Sequence, residues 1–140
     1  MAETNDGRLT HLDEQECWEL LDIRSVGRLA FVDPDGDQQL LPVNMAVRDR
    51  QVFVRTSTDS VIGTLARGHD RVALQTDHVQ DLFQLAWSVT VTGAMSEVTD
   101  AELIEALREA GRPAPWAPGP REVFLVLTPR SIAGRRVRQH

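Results

Sequence analysis

The 140-residue chain has one cysteine, no tyrosine and no long apolar run. A lone Cys17 cannot close an internal disulfide, which suits a reducing compartment, and the cytoplasm is the expected location. A membrane-spanning helix needs roughly 18 consecutive apolar residues, and nothing here approaches that. The opening "MAETNDGRLT" is polar and acidic and has no apolar stretch of the kind a secretory leader carries. A net charge of −6 weighs against a nucleic-acid protein, because neutralising phosphates takes clustered Lys and Arg. The one basic cluster, "RRVR" at 135–138, reads as a solvated last strand. Neither nucleic acid nor a membrane is therefore expected as a partner. Without tyrosine, one common acid–base side chain is also missing.

What is present is ordinary for a soluble globular protein: 41% hydrophobic and 26% charged residues. The length suits a single domain over 1–140 with a sizeable core, its first eight to ten residues loose. "LDEQECWELLD" reads as a short helix, with Asp13 as cap and Glu16 reaching back. Cys17, Leu20 and Leu21 then share its apolar face, so Cys17 belongs to the core rather than to a nucleophile. Strands follow in "VGRLAFV", "QLLPVNMAV" and "QVFVRT", joined by short polar connections that suggest an antiparallel meander. "SVIGTLARG" is a brief helix resting on Ile62, Leu65 and Ala66 and stopped at Gly68. "DRVALQTD" is a further strand. In "WSVTVTGAMSEV", Trp87, Val89, Val91 and Gly93 alternate with polar residues. Thr99 and Glu102 form a second capping-box pattern, with Leu103, Ile104 and Leu107 as the stripe and Gly111 as the stop. "RPAPWAPGPR" is too rich in proline for regular structure, and "EVFLVLTP" and "SIAGRRVR" finish the chain as two strands. Six or so strands with three short helices, in mostly β-β order, point to a mainly β barrel.

His11, His69, His78 and His140 lack metal-ligand spacing, and no second cysteine can join Cys17. There is no GxSxG elbow and no GxxxxGK[ST] loop, and the many carboxylates sit in turns and on helix faces. If the protein is an enzyme, a bound cofactor carries the chemistry. One stretch stands out. In "QVFVRTSTDSVIGTLARG" a strand runs through a hydroxyl-rich bend into a helix start, with Arg55, Thr56, Ser57, Thr58 and Ser60 close together. A guanidinium, hydroxyls and helix-start amides together suit a phosphate monoester. The simpler reading is that Ser57 or Asp59 caps the helix and Arg55 pairs with an acid on the next strand.

These stretches occur in the order "LLPVN", "VFVRTSTDSVIGTLARG", "WSVTVTG" and "PWAPGPREVFLVLTPRSIAGRRV". The chain thereby resembles the pyridoxamine 5′-phosphate oxidase-like family of flavin-binding split-barrel proteins, in its short actinobacterial-type branch, from about residue 9 to 138. The resemblance implies a six-stranded antiparallel split barrel forming a homodimer, with FMN in two clefts between the subunits. It also implies phosphate binding by Arg55, Thr56, Ser57 and Ser60. The backbone of Val43 and Asn44 would lie along the isoalloxazine edge, with Trp87 near the cofactor. In such proteins a basic residue usually follows the Ser/Thr at the helix start. Here that position is Val61, and a lost charge-assisted hydrogen bond to phosphate costs roughly 1.5–3 kcal/mol. FMN is the expected cofactor, with Arg28 as a possible substitute cation; a deazaflavin or no cofactor are the alternatives. Asn44 could equally satisfy backbone groups beside Pro42, and Trp87 could equally be core. Trp116, in the proline-rich loop, reads as a cover for the cleft or a cross-dimer contact, and Arg121 as either an ion-pair partner or a ligand contact. The expected function is a flavin-dependent oxidoreductase acting on a small organic substrate, and not pyridoxamine phosphate oxidation itself. The alternatives are a non-catalytic module for a flavin or other planar ligand, and a deazaflavin-dependent reductase.

Overall fold

Alternation on one long strand shows how the molecule is built. Along β6 (Leu85–Glu97), Trp87, Val89, Val91, Gly93 and Met95 are buried, while the residues between them face out. The same rule on β2 (Val26–Val32) sends Gly27, Leu29 and Phe31 inward, and on β5 (His69–Gln80) it sends Val72, Leu74 and Thr76 inward. These strands are antiparallel and join β3 (Gln38–Arg48), β4 (Gln51–Thr56) and β7 (Val123–Gln139) in the order β7-β4-β3-β2-β5-β6. Pairing of β6 with β7 closes that order into a six-stranded ring. The expected split barrel is thus the observed architecture. The computed structural model describes residues 7–114 and 122–139.

Three local expectations are corrected. Residues expected to be loose include a strand, β1 (Gly7–Leu12), which pairs with the end of β7 from Gly7 against Gln139 to Leu12 against Gly134. It makes a seven-stranded sheet among the described residues. The chain end expected as two strands is one, the 17-residue β7, running through Pro129. Thr92 faces Ser131 and Gly93 faces Pro129, so Arg130 is the extra residue of a β-bulge. A bulge tolerates the missing proline N–H, which is why the strand does not end there. Finally, α2 (Ala101–Ala110) is capped by Asp100 rather than Thr99: its carboxylate accepts from the amides of Glu102 and Leu103.

Other local readings hold. Asp13 caps α1 (Glu14–Asp22): its carboxylate accepts from Glu16 N at 2.8 Å, and its own amide donates to Glu16 Oε1 at 3.3 Å. Ile62–Arg67 forms a 3₁₀ helix that packs Ile62, Leu65 and Ala66 on the core and stops at Gly68, with φ 97°. The main core fills the ring with residues such as Leu29, Leu74, Val91, Leu125 and Leu127, and it includes Cys17, Trp18 and Leu21 from α1. A smaller cluster lies outside the ring, where Phe53 and Phe124 meet Val98 and Leu107, with Leu103 and Ile104 of α2 packed against it.

Candidate functional site

On β4 the backbone sends Val52, Val54 and Thr56 into the ring, and Phe53 and Arg55 to its outer surface. Arg55 and Thr56, neighbours in sequence, therefore face opposite sides of the strand. Arg55 is half-buried beside the patch under α2, its guanidinium carbon 5.0 Å from the centre of the Phe124 ring. This cation–π contact helps to orient the side chain. All fifteen basic residues of the chain are arginine, so every candidate for phosphate recognition is a planar, bidentate donor. The register that sets Met45 against Val54 puts Asn44 at the next position, also on the outer face, between buried Val43 and Met45. Val43 itself turns its side chain into the core, leaving only its backbone for a ligand.

The bend after β4 is held by its own hydroxyls. Ser60 Oγ donates to Ser57 O at 2.9 Å and accepts from Gly63 N at 2.9 Å. It also lies 2.7 Å from Thr56 Oγ1, which is then the donor of that pair. Gly63 lets the bend fold back this closely: a Cβ there would sit 2.4 Å from Ser57 O. The backbone amides of Thr58, Asp59 and Val61 have no hydrogen-bond partner among the described residues. The Thr56 and Ser60 hydroxyls are thus engaged within the bend, whereas these amides are open. Because Ser60 makes three contacts at once, Ser60→Ala is expected to lower stability by about 1–2 kcal/mol, read as a lower denaturant midpoint at unchanged slope.

Val61, where a cation was expected, packs partly buried against the main core. Arg28, the conceivable substitute, is on the outer face of β2 and pairs with Asp77 at 3.6 Å. Trp87 is 8% exposed and belongs to the ring interior, on the opposite side of the sheet from Asn44 and Arg55. Arg55 and Asn44 therefore share the outer face of adjoining strands, and the bend with the open amides follows directly after β4. The structure puts Thr56 and Trp87 among the scaffold, with Ser57 also buried. Trp116 and Arg121 lie outside the described residues. Burial pushes the Cys17 thiol up, and Asp13, Glu16 and Glu14 push it further, so it stays protonated within the core. No group of three or more His, Cys, Asp or Glu suited to a metal occurs among the described residues, and no helix there is long and apolar enough to cross a membrane.

The family model described as pyridoxamine 5′-phosphate oxidase matches residues 13–136, spanning the whole ring. The chain belongs to that family. Among curated relatives, an uncharacterized protein of Mycobacterium tuberculosis is 26% identical over 133 residues, which cover 92% of this chain and 86% of the relative. Among solved structures, a Corynebacterium glutamicum protein described as a candidate pyridoxamine 5′-phosphate oxidase superposes with a TM-score of 0.76 at 26% identity. That match covers 94% of this chain and 95% of the other. An FAD-binding protein of Mycobacterium smegmatis superposes with a TM-score of 0.73 at 27% identity, covering 92% and 98%. Within this pyridoxamine 5′-phosphate oxidase family fold, the sequence pointed to donor amides at the helix start, about Ser60 to Ile62, but not to those of Thr58 and Asp59 earlier in the bend. It also missed the small outward residues of β5 and β6 (Ala73, Ala86, Ser88, Thr90), a strand face that no helix was assigned to cover.

Proposed function

We propose that the protein is a cytoplasmic, homodimeric flavoprotein that binds FMN at the outer edge of β4 and serves as an oxidoreductase for a small organic substrate. The observation that carries this reading is the outward Arg55, oriented on Phe124 next to Asn44 and a bend with three open amides. That donor set suits a phosphate monoester: one fixed guanidinium for charge and backbone N–H groups for direction. Family membership and the FAD-binding Mycobacterium smegmatis neighbour support a flavin. When bound, the flavin supplies the redox chemistry. The chain's own residues bind and orient it. Arg55 neutralises phosphate charge, Asn44 offers an amide to the ring edge, and the Val43 backbone flanks it. Thr56, Ser57 and Ser60 keep the bend in shape, and Trp87 stiffens the wall behind it.

The test is an absorbance spectrum after loading with FMN and removing the excess by gel filtration, repeated with FAD and a deazaflavin. Flavin bands should be retained, and Arg55→Ala should weaken FMN binding about ten- to a hundredfold, as expected for a lost charge-assisted hydrogen bond. No retention at tens of micromolar of any of the three would sink the reading. One observation favours a second reading, a non-catalytic flavin or planar-ligand module: Val61 is committed to the core and offers no cation. Colour without turnover on nicotinamide or quinone donors would select it.

A further inference from the structure

Two strands of the ring bulge at the same level, one on each side of β6. On β7 the bulge sets Arg130 between Pro129, opposite Gly93, and Ser131, opposite Thr92. On β5 the register jumps between His69, opposite Met95, and Val72, opposite Gly93, so Asp70 and Arg71 share the single residue Ala94. Gly93 is thus common to both bulges. Arg130 Nη1 donates to Asp70 O at 2.8 Å, which carries this side chain across β6 from one bulge to the other. Beside this bridge lies a pocket of about 420 Å³. Its floor is a row on the outer face in which Ala30 pairs with Ala73 and Ala73 with Thr92, so nothing taller than threonine fills it. Val32, 44% exposed, adds an apolar edge. Arg71 and Arg130 both line the pocket, and neither forms an ion pair among the described residues. The pocket is separate from the candidate flavin site. Ala30 is four residues along β2 from Val26, the partner of Asn44, a distance of about 13 Å.

We infer that this pocket binds a small organic monocarboxylate, its carboxylate on Arg71 and Arg130 and its apolar body on the Ala30–Ala73 floor. The site goes beyond the proposed flavin binding and does not depend on it. Charge and shape carry the inference. A bulge re-aims the side chain of its extra residue, and here two bulges bring arginines to one pocket. Each planar guanidinium fork matches a carboxylate. Asp70 also lines the pocket, so two cations and one acid leave a net charge of +1. That balance suits a monoanion and leaves a phosphate dianion under-neutralised. Arg130 spends one N–H on Asp70 O, which holds the guanidinium in place and keeps its other donors for a ligand. The floor has two alanines and no charged group, and Thr92 Oγ1 lies 2.5 Å from Ser131 Oγ, engaged with its neighbour. An apolar body covers such a floor, whereas a bare inorganic anion would leave it wet. The volume falls within the range of small-molecule sites.

A nuclear magnetic resonance titration of the full, isotope-labelled chain with sodium benzoate and with sodium hexanoate tests this. Either acid should shift the amides of Arg71, Ala73, Thr92 and Arg130 saturably, with a Kd of about 1 mM or tighter. Benzamide keeps the ring and loses the charge, so it should bind at least about tenfold more weakly. Benzoate should weaken by a similar factor in Arg71→Gln and in Arg130→Gln, both changes at exposed positions. Arg55→Ala should bind benzoate as the wild type does, whatever happens to its flavin affinity. No saturable shift with either acid up to about 20 mM would overturn the proposal. Equal binding of benzoate and benzamide, or full benzoate affinity in both arginine variants, would overturn it as well. Shifts that centre on the bend after β4 and vanish in Arg55→Ala would put the acid in the candidate flavin site instead. Failure to retain a flavin, by contrast, would sink the proposed function and leave this pocket standing.

Discussion

Gly93→Ala is expected to lower the melting temperature by about 10 °C or more, corresponding to a loss of roughly 3 kcal/mol in a domain of this size. Gly93 stands opposite Pro129 at the bulge of β7. A Cβ at Gly93 would come within 2.0 Å of Thr128 O and 3.0 Å of Arg130 N. Both are backbone atoms in the strand that closes the ring, so no side-chain rotation relieves the clash. Either β6 and β7 separate, which exposes Val91 and Leu127 in the fully buried core, or the bulge is remodelled along a strand that pairs with three others. Thermal unfolding followed by far-ultraviolet circular dichroism checks it. A shift of only a degree or two would mean that the bulge slides freely and that Arg130 is not fixed by it.

The second large effect belongs to Gly63→Ala. The added methyl would meet Ser57 O at 2.4 Å and Thr58 O at 2.9 Å. The 3₁₀ helix and the bend must then part, which breaks the two hydrogen bonds that Ser60 makes to Ser57 and Gly63. A stability loss of about 2–3 kcal/mol follows from forcing backbone apart in a buried position. The amides of Thr58, Asp59 and Val61 would move with the bend while Arg55 stays on β4. Under the proposed function, FMN affinity should therefore fall at least as far as in Arg55→Ala. Flavin titration well below the variant's melting temperature separates the two consequences. Lower stability with wild-type affinity would show that the bend does not hold the phosphate.

The same two regions show how far the sequence could be read. β6 was legible because one of its faces is buried and the other is not, so the alternation of Trp87, Val89 and Val91 with Ser88 and Thr90 stands in the sequence itself. β4 was not. Its Val52, Phe53 and Val54 are all buried, the first and third by the ring and the second by α2, so no alternation survives to tell which way Arg55 points. Arg55 and Thr56 therefore read as one cluster, and only the packing separates them. Val61 read as a missing cation, whereas the fold uses it as a core residue.

The sequence by itself determined what local chemistry controls: the Asp13–Glu16 capping box, the stops at Gly68 and Gly111, the stripe of α2, and the mainly β class. Tertiary structure decided the rest. β1 pairs with residues at the opposite end of the chain, Pro129 stays within its strand at a bulge opposite Gly93, and the Ser60 hydroxyl is taken up by the bend's own backbone. These outcomes depend on contacts between segments far apart in sequence. Each is set by which atoms the closed ring brings together, and the identity of a residue and its neighbours does not contain that information.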